Sequence, residues 1–302
     1  MRPAYRGKEM VFMNEAVRLH AFADEVSVFI DEQIRVMKKN RIDGLEIRST
    51  EFGDATKIRV GEAKEIRKKL EDEGLFVWSV GSPVGKTEIT DKDEAWFEAF
   101  KHALEIGEVL GASRFRLFSF YIPRGEAIEP YRGEVIERLG RIMDYAKGSP
   151  LVLCHENEKR IYGETAERCL EILKAVPGLR AVFDPANFVQ CDEDTLKAWD
   201  LLHPYVDYLH VKDSREDKTI VPSGQGRGHV PEIVGAYLKN GGRDFTLEPH
   251  LVPFDALWKL ELSGNRSEIP ASDYKDAGEA FTVAAEAFRS VVKDVFKTGE
   301  GH

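Results

Sequence analysis

Cysteine is scarce in this chain, with only Cys154, Cys169 and Cys191 among 302 residues. None forms a Cys-x-x-Cys pair, which excludes a disulfide framework and points to a reducing compartment. Cys154 and Cys169 sit in apolar contexts and read as core residues. Basic charge is also short: Lys and Arg number 43 against 53 Asp and Glu, for a net charge of −10. Proteins that grip a phosphate backbone concentrate Lys and Arg on one face, so a nucleic-acid partner is not expected. Nowhere do about 18 apolar residues run together, and Met1 to Met10 lack the apolar centre of a signal peptide. The expectation is a soluble, cytoplasmic protein with no membrane partner.

What the chain does have is alternation. With 42% hydrophobic residues it can bury a large core. Residues 17–22 read as a first strand, after which Ser27 caps a helix carrying Phe29, Ile30, Ile34 and Met37 at helical spacing. Further strands are expected at 44–48, 75–80, 115–120, 151–156, 180–184, 206–211 and 245–248. Helices at 62–73, 93–110, 134–146, 166–176, 194–202, 231–239 and 276–296 separate and follow them, with Gly74 and Gly111 as stop signals. Strict alternation implies a parallel sheet. Eight units of about 30 to 40 residues predict a closed (β/α)8 TIM barrel of the α/β class, a single domain over residues 17–302 behind a leader at 1–16. An open doubly wound sheet competes less well, because no Gly-x-Gly-x-x-Gly turn follows the first strand. The remaining length falls in an excursion at 252–272, where Phe254, Trp258 and Leu260 could cap a pocket or pack on the rim.

Barrel active sites form at the C-terminal strand ends, so polar residues there carry more weight than the same residues on helices. Four apolar runs end in ionisable groups: Cys154-His155-Glu156-Asn157-Glu158, Phe183-Asp184-Pro185, Leu209-His210-Val211-Lys212-Asp213 and Leu247-Glu248-Pro249-His250. Glu156, Asp184, His210 and Glu248 are expected to converge on one divalent metal. Three carboxylates and one imidazole suit Mn2+ foremost, with Mg2+, Co2+ or Zn2+ compatible, and carboxylates so clustered repel one another without a cation. Singly, each has a plainer reading: Asp184 opens a turn, His210 is a core histidine, Glu248 is a rim ion pair. Their recurrence on four successive strands makes coincidence the weaker account. Glu158 shares strand parity with Glu156 and could replace it as ligand, whereas His155 is expected to face the helices.

Other strand ends supply substrate-binding candidates: His20, Glu46, Arg48, Lys86, Glu158, Asn187 and His250. His20, Glu46 and Arg48 could equally form ion pairs inside the barrel, and Lys86 could be a solvated loop lysine. Lys212 has the parity of His210 and is a third catalytic candidate beside the two glutamates, able to donate to a developing oxyanion. An ion pair with Asp184 or Asp213 is its alternative. Gly224-Gln225-Gly226-Arg227-Gly228 could offer N–H groups to a phosphate or simply form a tight loop.

On these residues and motifs the chain, from residue 17 to 296, resembles the xylose isomerase-like TIM barrels, the sugar phosphate isomerase/epimerase group that includes the AP endonuclease family 2 proteins. In the ketose 3-epimerases of that group a glutamate, an aspartate, a histidine and a second glutamate hold one metal, and the two glutamates move the proton. The resemblance therefore implies that Glu156, Asp184, His210 and Glu248 are ligands and that Glu156 and Glu248 are the acid and base. It implies an isomerase or epimerase acting on a small carbohydrate through an enediolate. A dehydratase of the inosose dehydratase type and a catalytically silent sugar-binding barrel are the alternatives. Asn187 stands where many members carry a histidine, and the arginine that the epimerases use beyond the strand-seven histidine has no counterpart, which leaves the substrate open. A trinuclear zinc site needs more strand-end histidines than this chain has, and a homo-oligomer is compatible with all of these features.

Overall fold

The computed structural model describes residues 17–254 and 274–299. The leader at 1–16 and most of the expected excursion, including Trp258 and Leu260, lie outside the described residues. Eight parallel strands close into a barrel: β1 (Arg18–Ala21), β2 (Gly44–Ile47), β3 (Val77–Gly81), β4 (Arg114–Leu117), β5 (Val152–Glu156), β6 (Arg180–Phe183), β7 (Val206–Val211) and β8 (Asp244–Leu247). Each pairs with its neighbour in sequence, and β1 closes on β8 with Arg18 opposite Asp244 and Ala21 opposite Leu247. This is the (β/α)8 architecture expected from the alternation.

Around it run α1 (Ile30–Lys39), α2 (Val60–Asp72), α3 (Ala95–Leu110), α4 (Arg132–Tyr145), α5 (Ala166–Ala175), α6 (Pro185–Gln190), α7 (Thr195–Leu202), α8 (Val230–Lys239) and α9 (Ala277–Gly299). The main apolar core lies between strands and helices. Phe100 of α3 meets Phe115 of β4 edge to face, and Phe245 of β8 packs on Phe288 of α9. All four are buried, each worth about 1.5–3 kcal/mol relative to exposure. Inside the barrel, Trp78, Cys154, Val182 and Tyr208 form a separate cluster. His20 stacks on Trp78 with ring centroids 4.3 Å apart, so the barrel interior is a packed floor beneath the strand ends.

Two local features differ from the sequence reading. Phe29, not Ser27, is the N-cap of α1; Ser27 Oγ instead accepts the Phe29 N–H at 3.2 Å, two residues ahead of the helix N-cap. Between β6 and the expected helix at 194–202 lies the additional helix α6, too short to display a hydrophobic period and buried along its whole length. After β7, Asp213–Ser214 and Ile220–Val221 pair as a short antiparallel ribbon.

Candidate metal centre

Glu156, Asp184, His210 and Glu248 are all buried, and one donor atom from each lies within 4.8 Å of those of the other three. Local structure aims them. Asp184 is the N-cap of α6: its Oδ1 accepts the Asn187 N–H at 2.9 Å, and Pro185 occupies the first helical position. The turn chemistry expected of Asp-Pro thus uses one oxygen, leaving Oδ2 facing the cluster. Asn157 ties the end of β5 to the end of β6, donating from Nδ2 to Asp184 O at 3.0 Å and accepting the Asp184 N–H at 2.9 Å. Asn187 Nδ2 lies 3.3 Å from Glu156 Oε1.

A buried guanidinium holds one oxygen of each glutamate. Arg116 Nη1 donates to Glu156 Oε2 at 2.8 Å, and Arg48 Nη1 donates to Glu248 Oε1 at 2.9 Å. Arg48 is itself fixed by two 3.0 Å bonds to Asp24 and lies between the rings of Phe22 and Phe254. The other oxygens turn inward: Glu156 Oε1 is 3.0 Å and Glu248 Oε2 is 3.4 Å from His210 Nδ1. Lys212 Nζ donates to Glu248 Oε2 at 3.0 Å and lies 2.8 Å from Asp184 Oδ2, off the axis of a hydrogen bond. The Lys212–Asp184 pair weighed from the sequence is therefore formed.

Burial raises carboxylate pKa values, but Lys212 and His250 hold Glu248 well below the usual range. His210 and Arg116 likewise overcome burial at Glu156 and lower it. At Asp184 burial prevails over Lys212 and pushes the group up to about 6. Glu25, buried beside Arg48, is pushed up to about 8. Burial disfavours a charged Lys212, yet Asp184 and Glu248 outweigh it and carry the ammonium well above its ordinary value.

These charges test whether a divalent cation suits the site. Six buried acids, Asp24, Glu25, Glu46, Glu156, Asp184 and Glu248, stand with three buried cations, Arg48, Arg116 and Lys212. With Glu25 neutral and His210, despite its burial, held protonated by Glu156 and Glu46, one negative charge remains around four donor atoms, one of which, Asp184 Oδ2, has no hydrogen bond aimed at it. A divalent ion taking the place of the His210 proton would cancel the charge, and the donor set is of the right hardness. The residues fit the ion.

The structure does not bring every sequence candidate to this cluster. Glu46, Arg48, Asn187 and His250 adjoin it, but His20 turns to the barrel floor, its Nε2 lying 3.0 Å from Asp244 Oδ1. Lys86 and Glu158 pair with each other at 3.0 Å, and Glu158 is not among the four converging groups. His155 faces outward to Ser119 Oγ at 3.0 Å. The glycine-loop N–H groups of Gly224, Gly226 and Gly228 all donate to the Asp213 carboxylate at 2.9 Å, which leaves them no phosphate role. Sequence reasoning missed Arg116, Asp24, Glu25 and Tyr208. For Arg116 the signal was a charged residue between Phe115 and Leu117. Glu25 lies in a turn after β1 and holds the His250 N–H at 2.7 Å, where His250 adopts a φ of 46°.

Among the described residues no helix is long and apolar enough to cross a membrane. No curated protein sequence matches the chain significantly. Its fold is that of several solved structures. An L-ribulose 3-epimerase superposes with a TM-score of 0.73 at 16% identity, covering 94% of this chain and 96% of that one. An IOLI protein with a bound zinc atom gives 0.70 at 15%, covering 93% and 99%. A probable 3-DHS dehydratase, AsbF, from Bacillus anthracis gives 0.67 at 14%, covering 90% and 98%. At such identities these likenesses establish the fold alone. The family model described as xylose isomerase-like TIM barrel matches residues 34–250, most of the chain and all four clustered residues, and the protein belongs to that family.

Proposed function

We propose that the protein is a divalent-metal-dependent isomerase or epimerase of a small carbohydrate, whether a sugar, a sugar phosphate or a cyclitol. The observation that carries this reading is the convergence of four buried donor groups, Glu156, Asp184, His210 and Glu248, within 4.8 Å of one another at the C-terminal strand ends. When bound there, a divalent ion, Mn2+ foremost, supplies Lewis acidity to a substrate carbonyl. The protein's own groups do the rest. Arg116 and Arg48 each hold one oxygen of a glutamate, so Glu156 Oε1 and Glu248 Oε2 are the oxygens left to face a substrate. Both carboxylates are kept ionised and able to accept a proton from the carbon beside the carbonyl. One takes the proton and can return it to the adjacent carbon; delivery to the opposite face falls to the other glutamate once it has gained a proton from solvent, and the first then releases its own to solvent. Lys212 stays protonated and stabilises the developing enediolate oxygen by its N–H bonds.

The test is metal analysis of wild type and Glu248→Gln, followed by incubation of each in deuterated water with a panel of ketoses, inososes and their phosphates. Metal in the wild type and metal-dependent deuterium uptake that the variant loses by about 10^2-fold or more support the reading. A β-elimination product in place of an isomer would select a dehydratase using the same carboxylates. A wild type that binds no divalent ion when supplied with one removes the proposal.

A further inference from the structure

Glu46 is fully buried on β2. Its Oε1 accepts from Tyr208 OH at 2.9 Å and from Ser79 Oγ at 3.2 Å. Its Oε2 lies 3.4 Å from His210 Nε2. Its three partners come from two strands, Ser79 from β3 and Tyr208 and His210, two positions apart, from β7. The imidazole therefore has two unlike sides: Nδ1 faces Glu156 and Glu248, and Nε2 faces Glu46.

An ionised carboxylate can only accept. With a cation held among Glu156, Asp184 and Glu248, the imidazole would turn its Nδ1 lone pair to the ion and give its Nε2 hydrogen to Glu46. Tyr208 and Ser79 pin the carboxylate from beneath, so it cannot swing away. We infer that Glu46 is a positioning residue that fixes the tautomer and ring orientation of His210 for metal binding, and that it makes no contact with substrate. The inference rests on the metal reading above and revises the expectation that Glu46 lines the sugar pocket. Carboxylates placed behind ligating histidines raise their basicity, and their loss typically weakens metal binding about 10–100-fold.

Mn2+ affinity, read from the electron paramagnetic resonance of the free ion in full-length protein, tests this without any substrate. Glu46→Gln should weaken Mn2+ binding about 10–100-fold, and Tyr208→Phe, which keeps the Glu46 carboxyl but removes one of its anchors, about three- to tenfold, the worth of one hydrogen bond. If Glu46→Gln fails to fold, Tyr208→Phe carries the test. In a His210→Ala background either change should alter affinity less than about twofold, because the effect passes through the imidazole. Unchanged affinity in both single variants, or a loss equally large without His210, overturns the inference and leaves the metal reading standing. A wild type that takes up no Mn2+ removes the metal reading and this inference with it.

Discussion

At 2.8 Å from Asp184 Oδ2 and 3.0 Å from Glu248 Oε2, the Lys212 ammonium offsets part of the negative charge gathered at the strand ends. Removing one partner of a buried ion pair costs about 3–5 kcal/mol. Lys212→Met should accordingly melt well below wild type in the ion-free state. It should also gain more from added Mn2+, since the ion then relieves a larger imbalance. Paired thermal melts with and without Mn2+ measure both effects, and equal gains would mean that Lys212 takes no part in the charge balance. His155 makes a prediction of a different kind. Burial lowers it from 6.5 to about 4, and its Nε2 faces Ser119 Oγ. A histidine with a depressed folded pKa favours folding while neutral, so its contribution is complete above pH 6.5 and is lost as pH falls toward 4. By pH 5 the loss is about 2 kcal/mol. Urea unfolding at pH 7.5 and 5 should show wild type falling more steeply than His155→Gln by that amount.

The loop after β7 is organised from inside by a carboxylate. Asp213 accepts N–H bonds from Ser214, Gly224, Gly226 and Gly228, each at 2.9 Å. A Cβ on Gly226 would lie 2.2 Å from Asp213 Oδ1, so glycine is required for the backbone to come this close. Asp213→Asn replaces an acceptor by a donor that faces N–H groups, leaving buried donors unsatisfied. The expected loss is about 2–3 kcal/mol by urea unfolding, with Mn2+ affinity unchanged, because Asp213 is not one of the four clustered residues. A drop in metal affinity equal to that of a ligand variant would place the loop in the site. Helix α6 shows the opposite economy: one aspartate both caps a helix and presents its second oxygen to the cluster.

For the molecule as a whole, a bound ion and the fold are linked. At a free Mn2+ concentration about a hundred times its dissociation constant the native state gains about 2.7 kcal/mol. For a domain of this size that raises the melting temperature by roughly 4 °C, and a chelator should reverse it. The barrel itself was legible because strand and helix periods are local properties, and eight alternations admit few topologies. The four clustered residues were legible for a related reason: a strand of period two that ends in a polar group at the barrel's upper rim must point that group in or out, and parity selects which. Parity could not place His20, whose side chain drops to the floor, nor the split duty of Asp184. Nor could it find the clamps. Arg48 and Glu248 stand 200 positions apart in sequence, and Arg116 and Glu156 are 40 apart. By itself, then, the sequence determined the order of elements, the closed parallel sheet and the ligand-type residues at four strand ends, all consequences of short-range pattern. The tertiary structure alone decided which oxygen of each carboxylate is tied, which nitrogen of His210 faces the cluster and where the glycine-loop N–H groups go. Those choices depend on the register and closure of strands distant in the chain, which bring buried charges within a few ångströms of one another.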